Sequence, residues 1–220
     1  MNIHATPTLT AAERAIVDAF AERVSDLPGD PTVARRRDDA IEMLKQGLPT
    51  RRVEAWHYTD LRRLLTHVPA FTAASVAQKR AALLEGSSVL AVLGGLAQPA
   101  TAIDGVTVAS LSDLLQAGDD RASQSIAGSD DAIGALNTAF AGAGYALTIA
   151  DDAEIAAPIE LQNVQAGGQV HARFAVKAGA ASRATIIERQ TGDAAALVSS
   201  VSSLELGDGA EVLWVIVQDH

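Results

Sequence analysis

The chain has no cysteine in its 220 residues. It can therefore form no disulfide, offer no thiolate to zinc and hold no iron–sulfur cluster through sulfur. Cations are in the minority, with Lys+Arg 17 against Asp+Glu 27 and a net charge of −10. A nucleic-acid binder needs a net basic face to neutralise phosphates, so that class is disfavoured. No apolar run reaches the ~18 residues of a membrane span. The first residues, Met1-Asn2-Ile3-His4, carry neither the basic nor the apolar part of a secretory signal. Aromatics are scarce, at 4%, and only two tryptophans are present. These features predict a cytoplasmic protein without membrane or nucleic-acid partners, long enough to bury a core without covalent staples.

What is present divides into two kinds of pattern. Residues 9–27 read as an amphipathic helix: Thr10 and Glu13 form a capping box, Ile16, Phe20 and Val24 recur on one face, and Pro28-Gly29 stops it. A second helix starts with Asp30 as cap and Pro31 in the first helical position, runs along Val33, Ile41 and Leu44 with Arg37 on the same stripe, and ends at Gly47. Arg35-Arg36-Arg37 beside Asp38-Asp39 predicts a solvated, self-compensating face. Short helices are expected over residues 60–66, capped by Thr59, and over 72–85, ended by Gly86.

Past Gly86 the pattern changes. Residues 88–93 and 105–109 read as strands, Ser110 caps a short helix to Gln116, residues 117–130 form a loop, and 131–141 form a further helix. Six β-branched, apolar runs follow, at 145–149, 159–164, 170–176, 184–189, 196–204 and 212–217. The breaks Ala150-Asp151-Asp152-Ala153, Lys177-Ala178-Gly179-Ala180 and Gly207-Asp208-Gly209-Ala210 echo one another at nearly equal spacing. Small-residue corners recurring between such runs suit stacked β-helix coils, with an antiparallel sandwich as the alternative. The expected fold is α+β: a helical domain over 1–86, a mixed α/β connecting region over 87–141, and the first coils of a right-handed parallel β-helix over 142–220. The last strand shows no polar cap, so the β-helix is expected to be incomplete and its edge to invite self-association.

Candidate chemistry is thin. None of His4, His57, His67, His171 and His220 has the spacing of a helical metal pair, and no HExxH, nucleophile elbow or P-loop occurs. Hydrogen-bonded or solvent-facing histidines are expected. Gly142-Ala143-Gly144 is too short for a dinucleotide fingerprint and reads as a loop into the first coil. Asp151, Asp152 and Glu154 are the densest acidic group near the strands; a turn-forming role is expected, with the carboxylates of β-helical carbohydrate-active proteins as the alternative. Arg51, Arg52, Trp56 and Tyr58 combine cations with rings, as a stacked nucleotide site would. The expected role is architectural: Trp56 as a buried anchor worth ~3–5 kcal/mol, Glu54 as partner of an arginine, and Pro49 as the corner after the second helix. No catalytic, cofactor-binding or metal-binding residue is assigned.

The stretch Gly47-Leu48-Pro49-Thr50-Arg51-Arg52-x-Glu54-x-Trp56-x-Tyr58-Thr59-x-Leu61 resembles the SufB/SufD family of iron–sulfur cluster assembly scaffold proteins, on its SufD side. The resemblance continues through Leu136-Asn137-Thr138-Ala139-Phe140, Ile155-x-x-Pro158-Ile159 and the strand from Gly179-Ala180 to Glu188. It implies an N-terminal helical domain followed by a right-handed parallel β-helix. It also implies a non-catalytic scaffold role in a complex with SufB and SufC, where an iron–sulfur cluster belongs to the assembled complex and not to this chain. The family's interface residues lie in parts that have no counterpart in this sequence, so none is carried over, and the chain alone is expected neither to bind SufC normally nor to assemble clusters.

Overall fold

The first helix begins where Thr10 takes an extended conformation and closes a reciprocal cap. The Glu13 amide donates to Thr10 Oγ1 at 3.2 Å and the Thr10 amide donates to Glu13 Oε2 at 2.6 Å. Residues 8–71, 77–122, 126, 128 and 130–219 are described in a computed structural model. Helix α1, Ala11–Arg23, buries Ile16 and Phe20. Val24 lies in a 3₁₀ turn, Val24–Asp26, and is exposed, because the tighter winding rotates it off the buried stripe. Helix α2, Pro31–Leu44, is capped by Asp30, whose Oδ1 accepts from the Val33 amide at 2.8 Å, and Gly47 takes φ +93° just beyond its end. Helix α3 is the single turn Leu61–Leu64, capped by Asp60 rather than Thr59.

The helix expected over 72–85 does not form in its described part; residues 72–76 lie outside the described residues. Residues 77–84 run instead along the outer face of a sheet. The Arg80 amide donates to Gln162 Oε1 at 3.0 Å and the Leu83 amide to Glu160 Oε2 at 2.7 Å, so side chains of the sheet take donors that a helix would use. Tertiary pairing here overrides helix propensity.

Strand β1, Ser88–Leu93, is where the pattern places it, followed by β2, Leu96–Ala97, and β3, Val106–Ser110. Helix α4, Leu111–Ala117, starts after Ser110, whose hydroxyl makes no cap bond. Helix α5, Ala132–Phe140, is capped by Asp131. Then come β4, Ala143–Ile149; β5, Ile159–Gln165; β6, Gly168–Ala178; β7, Arg183–Gly192; β8, Ala196–Leu206; and β9, Glu211–Asp219. Ala143-Gly144 is thus strand and not loop. A Cβ at Gly144 would lie 1.7 Å from the Arg173 carbonyl oxygen, so only glycine admits the neighbouring backbone there.

The strands form two sheets, ordered β2-β1-β5-β7-β9 and β3-β4-β6-β8. From β4 onward the chain alternates between them, and from β6 onward each strand lies parallel to the one two before it. Ala143 faces Ala172, Gly168 faces Ala196, Ile159 faces Ile186 and Arg183 faces Glu211, so the register advances by a nearly constant step per circuit. The corners stack in the same register. Asp152 (φ 56°), Ala181 (φ 52°) and Gly209 (φ 69°) are the left-handed residues of successive corners, and the amides of Asp152 and Ala181 donate at 2.8 Å to the carbonyls of Ala180 and Asp208 in the next corner. The inner faces of the sheets share one core in which Tyr145, Leu147, Ile149, Phe174, Ile159 and Leu161 are almost wholly buried.

A second core joins α1 and α2 to α5, with Phe20 and Phe140 edge to face at 5.8 Å. The fold is mixed α+β, with an N-terminal helical region and parallel and mixed sheets. Among the described residues no helix is long and apolar enough to cross a membrane.

Candidate functional site

The densest buried polar chemistry lies where α5, backed by α1 and α2, covers the outer face of the β3-β4-β6-β8 sheet. Strand alternation sends Ala172, Phe174 and Val176 of β6 inward and Gln169, His171 and Arg173 outward. Helix α5 roofs that outer face, so these polar side chains are buried, at 4–5% exposure.

Asn137 of α5 is fully buried. Its Nδ2 donates to the Ala172 carbonyl at 2.9 Å and reaches both the Ser199 carbonyl and Ser199 Oγ at 3.1 Å, while its Oδ1 accepts from Arg173 Nε at 2.6 Å. Arg173 also donates to Thr138 Oγ1 at 2.6 Å and to the Ala122 carbonyl at 3.2 Å. Arg37, expected on a solvated face, is 3% exposed. Its guanidinium donates to the carbonyls of Pro28, Ala139 and Ala141, each at 2.8 Å, and of Thr138 at 3.2 Å. The reason is its stripe: Arg37 lies one turn from Val33 and one from Ile41, so the face that enters the core carries it in. The last carbonyls of α5 and the negative end of its dipole then satisfy it. No ion pair among the described residues joins Arg35, Arg36 or Arg37 to Asp38 or Asp39. Burial lowers both Arg37 and Arg173 to about 10, and the charges of Arg37 and Arg36 add to the effect on Arg173. Both stay cationic at neutral pH.

His171 stacks on Phe140 at 5.0 Å, with Phe71 at 5.7 Å, and closes the back of a cleft of about 440 Å³ whose wall includes Arg23, Pro28 and Gln169. Its Nδ1 is 2.8 Å from Ser199 Oγ and its Nε2 is 3.3 Å from Gln169 Oε1. Because Gln169 gives its Nε2 to the Pro69 carbonyl, its Oε1, an acceptor only, faces His171 Nε2; the imidazole therefore carries its proton on Nε2, and Nδ1 accepts from the Ser199 hydroxyl. Burial first, and then the charge of Arg23, push His171 down to about 3. A serine hydroxyl bonded to an imidazole has the outline of a nucleophile and its base. Here the far ring nitrogen faces an amide and not a carboxylate, Ser199 is 2% exposed, and an imidazolium would be strongly disfavoured. The contact fastens β6 to β8 beneath α5.

The stretch from Gly47 to Leu61 is held by Glu13. This carboxylate is 2% exposed, accepts from the Leu48 amide at 2.8 Å as well as from Thr10, and has Arg62 Nε at 3.0 Å, an ion pair whose N–H does not line up on the oxygen. Burial pushes the Glu13 carboxyl up, but the Thr10 and Leu48 donors and the Arg62 charge outweigh it and hold the group below its ordinary value. Sequence reasoning finds only the cap here; the Leu48 amide and Arg62 come from tertiary placement. Trp56 is half-buried, packs on the helical core and donates from Nε1 to the Asp130 carbonyl at 2.8 Å. It is a peripheral contact and not a fully buried anchor. Arg51, Arg52, Glu54 and Tyr58 are exposed, and no ion pair among the described residues links Glu54 to an arginine. The structure does not bring these cations and rings into one site.

His57 and His67 are exposed, and the His57 ring meets the Tyr58 ring edge-on at 4.9 Å. His4 and His220 lie outside the described residues. No group of three His, Asp or Glu among the described residues could hold a metal ion. Asp151 Oδ1 accepts from the Ala180 amide at 2.8 Å, Asp152 supplies a left-handed corner, and Glu154 pairs through its backbone with Arg183, so the acidic group builds the corner. Compared with known proteins, the chain matches no protein-family model and no curated protein.

Proposed function

We propose that this chain is a non-catalytic scaffold subunit of SufD type, working in the cytoplasm with SufB and SufC in iron–sulfur cluster assembly. The observation that carries the reading is a conjunction. The Gly47–Leu61 stretch that resembles the family is laid against the helical core by Glu13 and Trp56. It is followed by strands that alternate between two sheets in a nearly constant register step, with stacked corners. Right-handed parallel β-helix coils require that path, so the proposed architecture is a β-helix behind a helical domain. The buried side chains fit the same role. Asn137, Arg173, Arg37 and Glu13 use their hydrogen bonds to join elements, which suits a scaffold that presents surfaces to other subunits.

The test is co-expression of the protein, in its full genomic form, with SufB and SufC, followed by purification on a tag carried by this chain. Recovery of all three in fixed proportion is expected. A protein that purifies alone and cleaves a polyuronide in the presence of calcium would sink the scaffold reading.

A further inference from the structure

The cleft of about 440 Å³ that His171 backs is lined by donors the fold leaves unused. Among the described residues that line it, Arg23 is the only cation and Asp26 the only acid. Arg23 sits in the last turn of α1, half-buried, with its Cζ 4.3 Å from the centre of the Phe71 ring. Its Nε is buried without an acceptor, and no ion pair among the described residues involves it. The ring face holds the planar fork in place, but it does not balance the charge as a carboxylate would. That charge acts on His171 from outside the sheet, adding to the burial that keeps the imidazole neutral.

Two hydroxyls line the same cleft from the junction of β3 and α4. Neither Ser110 nor Ser112 makes a side-chain hydrogen bond among the described residues. The hairpin turn Gly94-Gly95 borders the cleft with bare backbone, and a Cβ built on Gly95 would meet no atom within 4 Å. The remaining wall is apolar: Leu27, Pro28 and the Phe71–Phe140 pair, whose ring centres are 5.6 Å apart.

We infer that this cleft is a binding site for a small organic monocarboxylate with an apolar body. The carboxylate pairs with the Arg23 guanidinium, Ser110 and Ser112 supply hydroxyl donors to the same ligand, and the body lies against Leu27, Pro28 and Phe71. The chemistry selects the class. A planar carboxylate matches the two-pronged donor edge of a guanidinium, and one cation balances one negative charge. A phosphate dianion would lack a second cation here and would meet Asp26 as well. A wall that is mostly apolar with a few convergent donors is the common form of a small-molecule site. The inference rests on this cleft alone and not on the scaffold reading, so either can fail without the other.

The test is isothermal titration calorimetry of the 220-residue chain with sodium benzoate, benzamide and inorganic phosphate in turn. Saturable one-to-one binding of benzoate is expected, with a dissociation constant of about 1 mM or below. Benzamide has the same shape without the charge, and it should bind roughly tenfold more weakly or worse, as should phosphate. Arg23→Gln should weaken benzoate by roughly tenfold or more. Because Arg23 also stacks on Phe71, a second variant leaves that contact alone: Ser112→Ala should weaken benzoate roughly threefold with the unfolding midpoint unchanged. No saturable binding of benzoate, equal affinity for benzamide, tighter binding of phosphate, or full affinity in either variant would each overturn the inference.

Discussion

In the strand region a residue's neighbour lies one circuit away, at nearly the same sequence distance each time, whereas in the helical region each contact occurs once. Tyr145 stacks on Phe174, Leu147 on Val176 and Ile149 on Ala178 because one register sets all three. Arg37 meets three carbonyls at the end of α5 and a fourth at Pro28 because that one helix end and that one corner happen to fall around it. Loss of a rung leaves its neighbours in register, so damage to the ladder is shared. Loss of a clamp has no substitute. The helical region should therefore be the more brittle of the two.

The largest expected effect tests that brittleness. Replacing Arg37 with Met keeps the length of the side chain but leaves carbonyls of Pro28, Thr138, Ala139 and Ala141 without their donor in a buried site. The cost should be roughly 3 kcal/mol or more, from several orphaned acceptors. Denaturant unfolding should show a lower midpoint for the variant. A midpoint equal to the parent's would mean that water replaces the guanidinium and that the clamp carries little.

The next effect depends on pH. His171 has a folded value near 3 against an ordinary value of 6.5, so between those limits the unfolded chain binds the extra proton. Stability from this group is complete above about pH 6.5 and is lost as pH falls toward 3, at about 1.4 kcal/mol per pH unit over that window. Glu13, also held low, loses its contribution in the same direction, as pH falls through its folded value. His171→Gln keeps the polar contacts and removes the titration. Its unfolding midpoint should fall less steeply between pH 6 and pH 4 than the parent's; parallel curves would assign the acid limb elsewhere.

Trp56→Ala separates the two regions by a smaller margin. As a half-buried ring with one hydrogen bond, it should cost about 1–2 kcal/mol, below the ~3–5 kcal/mol of a full core truncation. Phe174→Ala, in the inter-sheet core, should reach that higher figure. Thermal unfolding of the pair would show whether the comparison holds at single side chains.

How much of this was legible in the sequence follows the same division. The strands are visible because alternation and small-residue corners are local signals, and β1 matches its expected span residue for residue. The capping pairs of α1 and α2 are local too, and both form. What hides is whatever depends on a covering element. His171 and Arg173 occupy the outward phase of β6, which reads as solvent-facing until α5 lies over it. Residues 77–84 read as helix until Glu160 and Gln162 claim their amides. Arg37 did carry a signal, its place on the Val33–Ile41 stripe, but the adjacent run of opposite charges argued for solvent.

The smallest effect probes the ladder at its corners. Three stacked corners each demand a left-handed residue, and they meet the demand with Asp152, Ala181 and Gly209. An L-residue with a Cβ is strained there by about 1 kcal/mol, and alanine lacks the polar side chain that eases the conformation for aspartate. Ala181 is thus the least suited of the three. Ala181→Gly removes the Cβ clash but gives the unfolded chain more freedom, so the net gain should be a few tenths to about 1 kcal/mol. Because the Ala181 amide donates to the Asp208 carbonyl, the change relaxes one corner without cutting the bond to the next. A raised unfolding midpoint is expected from denaturant titration. A lowered one would mean that the Ala181 methyl group contributes packing that outweighs its backbone strain, and that the corners are held by side-chain contact as well as by register.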